Sequence, residues 1–289
     1  MNYKKINEDF YSKSYWGLDR SRRKWFSKYV KIKVLGRFMQ GLNREVLYDA
    51  GGGVGNYGWF FSNNFKEVIV SDISKIALSK ITEKEIRKLN CSVLSNKLPD
   101  NYVDCILLID VFEHIESKDL LEMMKDLRRI LKPDGKIIIF TSHLGWGFGA
   151  IFQRIFSPHK KLLKNEHEEG HVNRLKYGEF YKIFREAGLA IEDFYFYSII
   201  FHQITEQFKD NFARIVALIK GKKNEDIKLG RAGQSTKEYF RKKEEGQILR
   251  IILYLLSRIS YLDILIFGKL YPGNTIFFKL KKEVFSIQT

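Results

Sequence analysis

The sequence predicts an α/β protein built on a doubly wound, mostly parallel sheet. Three observations lead there. Short apolar runs recur at 46–49, 68–71, 104–110, 136–142 and 189–197, each bounded by polar residues or glycine, as strands buried on both faces of a parallel sheet require. Helical patterns lie between them, and alternation of the two periods marks strand–helix units. The first run feeds into a glycine cluster, Gly51-Gly52-Gly53-Val54-Gly55, and a helix pattern follows it.

Taken in order, the chain opens with an aromatic and basic stretch, 1–44, in which Tyr15-Trp16 and the basic run 20–24 precede Trp25 and Phe26. It reads as an N-terminal cap of one or two helices. Further on, Leu120, Leu121, Met124, Leu127 and Leu131 share one face of a helix that Pro133-Asp134-Gly135 closes. Phe180, Ile183, Phe184 and Ala187 repeat at helical spacing, and Gly188 is placed to end that helix. The last strand is 275–280. Residues 45–198 and 274–283 therefore make one domain, with 199–273 inserted before its final strand.

The middle of the insertion, 220–246, is charged and reads as a solvated loop or exposed helix. Its end is amphipathic. Ile248, Ile252, Leu255, Ile259, Leu262 and Ile266 mark one face; Arg250, Tyr254, Ser257 and Tyr261 mark the other. Arg250, Arg258 and Asp263 interrupt the apolar run, so it falls short of a transmembrane span. Two placements remain: the helix packs on the core, or it lies in a membrane interface.

At 289 residues the chain is long enough to bury a full core. Cys91 and Cys105 are too few and too separated for a zinc ribbon or a redox pair, and they fit a reducing compartment. The first ten residues are polar and show no signal-peptide core, so a cytoplasmic location is expected. The formal charge of +16 suits an anionic membrane surface, although the basic residues are scattered. No RNA-binding motif accompanies that charge, and no nucleic-acid partner is expected.

Two glycine templates fit the cluster. Gly53-x-Gly55-x-x-Gly58, with Asp72 downstream for a ribose hydroxyl, fits a dinucleotide fingerprint and a nicotinamide-dependent oxidoreductase. Asp49-x-Gly51-x-Gly53-x-Gly55 fits another pattern, in which a carboxylate precedes the glycines; such a group would repel a pyrophosphate and suit an ammonium. This second pattern resembles motif I of the class I S-adenosylmethionine-dependent methyltransferases. Further landmarks follow in the family's order. Val68-Ile69-Val70-Ser71-Asp72-Ile73 is similar to its second strand, and the segment 98–104 to its approach to strand four. Asp110-Val111-Phe112-Glu113-His114-Ile115 resembles the segment after that strand, and the run LKPDGKIII resembles the turn into strand five. His171-Val172-Asn173-Arg174 and the helix pattern after it are also similar.

The resemblance implies a seven-stranded Rossmann-like sheet and S-adenosylmethionine as cofactor. Carried over residue by residue, it assigns cofactor contacts to Asp49, Gly51, Gly52, Gly53, Gly55, Asp72, Ile73, Ser95 and Asp110. One departure stands out. Relatives often place an adenine-contacting Asp near Leu94 or Ser95, whereas Ser95-Asn96 stands here, so that backbone or Asn contacts would substitute. The pattern resembles that of small-molecule methyltransferases of the broad type that includes ubiquinone and menaquinone biosynthesis enzymes. A fold-retaining binder of S-adenosylmethionine without turnover is the other reading.

His167-Glu168-Glu169-Gly170-His171 matches a zinc-protease pattern in letters only. Gly170 lies inside it and no apolar periodicity surrounds it, so it lacks the helix that would align two imidazoles, and no metal is expected. Methyl transfer needs chiefly the orientation of two bound reactants, with a base only where the acceptor carries a proton. His114, His143 and His171 are the candidates, with 143–175 as a lid over the pocket. The aromatic, glycine-rich run 145–152, with 194–201 and the 248–266 helix, suggests a small hydrophobic or lipid-linked acceptor.

Overall fold

The computed structural model describes residues 26–143, 171–173, 175–197, 247–270, 273 and 275–283. The expectations for 1–25, the run 145–152, His167 and the greater part of the 199–273 insertion fall outside these residues.

Seven strands form one sheet: β1 (Val46–Ala50), β2 (Glu67–Asp72), β3 (Ile86–Asn90), β4 (Val103–Ile109), β5 (Leu131–Ser142), β6 (Leu189–Tyr197) and β7 (Thr275–Lys282). Their order is β3-β2-β1-β4-β5-β7-β6. The pairings through β5 are parallel, and β7 runs antiparallel to both β5 and β6. Six α-helices lie among the described residues: α1 (Phe26–Phe38), α2 (Asn56–Phe61), α3 (Lys75–Ser79), α4 (Leu120–Ile130), α5 (Tyr177–Glu186) and α6 (Gln247–Phe267).

Alternation along the strands sends side chains to two layers. Tyr48, Ile69, Ile106, Leu108, Ile137 and Ile139 face α4 and α5, meeting Met124, Leu127, Phe180 and Phe184. Leu47, Val68, Val70, Leu107, Ile138 and Phe140 face the other way, onto Val34, Leu35 and Phe38 of α1, Leu78 of α3 and Ile264 of α6. The sheet is thus covered on both faces, as its all-buried β1 and β4 demand.

The predicted amphipathic helix is α4, with two corrections. Its buried stripe is Leu120, Met123, Met124, Leu127 and Ile130, while Leu121 is only half-buried. Leu131 is buried but extended, and it opens β5 by pairing with Val103. Residues 132–135, holding Pro133, leave the ladder before pairing resumes at Cys105 and Lys136, so β5 starts five residues earlier than its apolar run. Gly188 ends α5 at φ 71°, in the left-handed region expected of it.

α6 packs on the core, against α1 and β6, but not through its apolar face. Leu255, Ile259, Leu262 and Ile266 are 53%, 44%, 53% and 58% exposed. The buried side instead carries Ser257, Ser260, Asp263 and Ile264, and it rests against α1 and β6.

Candidate cofactor and acceptor site

Parallel pairing brings the C-terminal ends of β1 to β5 to one edge of the sheet, where ligands bind in doubly wound folds. β1 leads there into the glycine cluster. Gly51 holds φ 69°, and a Cβ on it would stand 2.8 Å from Val111. A Cβ on Gly52 would stand 2.6 Å from the Asp49 carboxyl carbon. Only glycine fits at these two positions, because any Cβ would strike the side chains of Val111 and Asp49.

Two carboxylates hold the cluster in shape. Asp49, 1% exposed, accepts the Gly58 amide at 2.9 Å through Oδ2. Asp72, 6% exposed, accepts the Gly53 amide at 2.9 Å through Oδ2 and the Ser74 amide at 2.8 Å through Oδ1. The Gly52 amide donates to Ser71 O and the Gly55 amide to Gly52 O, both at 2.9 Å. The amides of Gly52, Gly53 and Gly55 are therefore engaged inside the protein, and the amide of Gly58, in α2, is held by Asp49. Burial raises Asp49 to about 7, the Gly58 amide pulls the other way, and the charge of Asp72 adds to the rise. Asp72 is raised as well, by burial, against the pull of its amide donors.

Asp110, just past β4, sits at φ 56° and pairs with Lys31 Nζ of α1 at 2.7 Å. The same ammonium lies 3.8 Å from the Phe140 ring centroid. Burial drives the Tyr57 phenol upward, and the charges of Asp110 and Asp49 push it the same way, so Tyr57 stands near both. Ile73 is half-buried, and its carbonyl accepts from the Asn90 amide group at 3.1 Å. Ser95 is exposed in a turn closed by its own amide to Ser92 O at 3.1 Å. Asn96 beside it is buried, donates to Asp126 and accepts the Leu98 amide at 3.1 Å. Val93 and Val111 are the side chains nearest to Gly51.

Beyond β4 the short 3-10 turn Phe112–His114 buries Glu113, whose Oε2 accepts Thr141 Oγ1 of β5 at 2.8 Å. Burial, and then the charge of Asp110, raise Glu113 to about 7. The segment 171–173 is clipped onto this turn: the amides of Val172 and Asn173 donate to Glu113 O at 2.9 and 3.3 Å. His171 and His114 consequently meet, with ring centroids 4.9 Å apart. His143 is buried at the end of β5, and its ring packs 5.2 Å from that of Phe196. Two of the three predicted histidines are brought together. Lys31, Tyr57, Val111 and Thr141 were not predicted; only Val111, beside the motif, carried a local signal.

Residues 48–139 match the family model of a methyltransferase domain. The chain carries a methyltransferase domain. The matched stretch runs from β1 through β5 and contains the glycine cluster, Asp72, Asp110 and Glu113. The methyltransferase fold extends over the rest of the sheet: a geranyl diphosphate C-methyltransferase of Streptomyces coelicolor A3(2), solved with Mg2+, geranyl diphosphate and S-adenosyl-L-homocysteine, superposes with a TM-score of 0.55. It is 12% identical, and the alignment covers 98% of each chain. A putative methyltransferase of Bacillus halodurans C-125 gives 0.51 at 16% identity, covering 87% of this chain and all of the other. Among curated proteins, an uncharacterised protein of Methanocaldococcus jannaschii is 30% identical over 111 residues, 38% of this chain and 47% of that one. The match thus spans about half the length of that curated relative.

Proposed function

We propose that the chain transfers the methyl group of S-adenosylmethionine to a small hydrophobic or lipid-linked acceptor. One observation carries the choice of cofactor. The amides of Gly52, Gly53 and Gly55, which would face a pyrophosphate in a dinucleotide fold, donate inside the protein, and Asp49 and Asp72 back the cluster from beneath. An acid-backed glycine floor suits a ligand with an ammonium and a sulfonium and repels a diphosphate bridge. The placement of β7 antiparallel between β5 and β6 points the same way, because the dinucleotide order places its six strands as 3-2-1-4-5-6.

In this reading Asp49 and Asp110 draw the ammonium end toward Gly51, Gly52, Gly53 and Gly55. Asp72 and Ile73 receive the ribose; the Asp72 oxygens each retain a further lone pair beyond the amides they accept. Ser95, Val93 and Val111 border the adenine. When bound, S-adenosylmethionine supplies an activated methyl on a good leaving group. The protein's share is to orient the acceptor in line with it and to keep water out. His114, His143 and His171 stand on the acceptor side, where an imidazole takes a proton if the acceptor is a hydroxyl.

The hydrophobic acceptor is supported by the exposed stripe of α6, continued by Leu270 at 69% exposure, on a chain of charge +16. An amphipathic helix on a cationic protein suits the surface of an anionic bilayer, from which such an acceptor would be drawn. No helix among the described residues is long and apolar enough to cross a membrane. The reading is tested by incubating the chain with S-adenosylmethionine labelled in its methyl group and a lipid extract. Label moving into the organic phase, with S-adenosylhomocysteine released in equal amount, is expected. Tight cofactor binding with no release from lipid or aqueous extracts would leave a binding protein without turnover.

A further inference from the structure

We propose that Glu113, His114 and His171 form a binding site for a divalent transition-metal ion of the zinc type. One ligand atom from each of the three lies within 4.8 Å of those of the others. An ion bound at about 2.0–2.2 Å from each donor asks for donor separations of roughly 3.5 Å, which side-chain rotations of about 1 Å supply.

The chain invests several contacts in this grouping. His114 follows Glu113 directly, but His171 comes 57 positions after His114 and is delivered by the clipped segment. Besides the two amides that Glu113 O accepts, the Asn173 side chain donates to Phe112 O at 3.1 Å and to Ile115 O. The turn and the segment are thereby locked to each other on both sides of the imidazole pair. Glu113, 4% exposed, is aimed by the Thr141 hydroxyl on Oε2 and by its own backbone amide. A carboxylate oriented by an outer hydrogen bond is the usual support of a metal ligand.

Two imidazoles and one carboxylate match zinc and its first-row neighbours, and they disfavour magnesium and calcium, which prefer oxygen alone. Three protein ligands leave a position open. The three ligands lie just past the end of β4 and before α5, and an ion held there would, if the acceptor binds at this edge, hold an acceptor oxygen and favour its deprotonated form. This last role rests on the proposed methyltransferase reading; the metal site itself does not. From sequence the lettered pattern 167–171 is set aside and no metal is expected; the proposed site joins His171 to Glu113 and His114, which lie outside that pattern.

The test is titration of the chelator-treated chain with Co2+, followed by its visible absorption bands, in wild type and in Glu113→Gln, His114→Ala, His171→Ala and His167→Ala. Melting curves and S-adenosylhomocysteine binding on the same samples separate loss of fold or cofactor site from loss of metal. One equivalent of Co2+, weakened at least about ten-fold by each of the first three substitutions and unchanged by His167→Ala, is expected. Absence of stoichiometric Co2+ binding would overturn the proposal. So would binding that depends on His167 and His171 but survives loss of Glu113 or His114.

Discussion

A buried carboxylate that props up a loop of glycines carries a cost that depends on pH. Asp49 titrates near 7 in the folded chain and near the ordinary carboxylate value when unfolded. Between about pH 4 and 7 the folded state therefore binds more protons, so this group's contribution to stability falls as pH rises through that window. Asp49→Asn keeps an acceptor for the Gly58 amide but carries no charge. Melting curves should show the variant gaining on the wild type from pH 5 to pH 8, and S-adenosylhomocysteine binding should weaken in it most at pH 8. A stability difference that does not change with pH would mean that Asp49 titrates ordinarily. Of the site residues, those on the motif itself were legible: Asp49, Asp72, Asp110 and the glycines sit where strand ends put them. Lys31 and Thr141 were not. The first meets Asp110 across 79 positions and the second meets Glu113 across 28, and no local pattern records either pairing.

At the scale of elements, periodicity identified faces but not what each face touches. The α6 stripe was read correctly as apolar, yet the helix turns Ser257, Ser260 and Asp263 inward and the stripe outward. Which side is buried depends on the partner helix, which lies more than 200 residues earlier in the chain. β3 went unassigned for a different reason. As a sheet edge it alternates little and exposes Arg87, Lys88 and Asn90, leaving no apolar run to see. The outward stripe has a direct consequence. Replacing Leu255 and Leu262 together by Lys should change stability by no more than about 0.5 kcal/mol per site, as for other surface positions. The same substitutions should abolish co-sedimentation with vesicles of phosphatidylserine and phosphatidylcholine, which the wild type should show at low salt and lose at high salt. Equal sedimentation of both proteins, or of neither, would remove α6 from any role at a bilayer.

For the molecule as a whole, the strand–helix alternation was enough to foresee a doubly wound sheet with the cofactor edge at the ends of β1 to β5. The antiparallel entry of β7 between β5 and β6 was not visible locally, since it pairs 275–280 with strands more than a hundred and about eighty positions away. That entry also completes both core layers, with Phe277 on one side and Phe278 on the other. The methyltransferase account stands or falls on what the glycine edge binds. Calorimetric titration of the intact chain with S-adenosylhomocysteine, and separately with NADH, addresses this directly. The account predicts one S-adenosylhomocysteine site per chain and no heat from NADH. Saturable NADH binding with none for S-adenosylhomocysteine would contradict it and make the cluster a dinucleotide site.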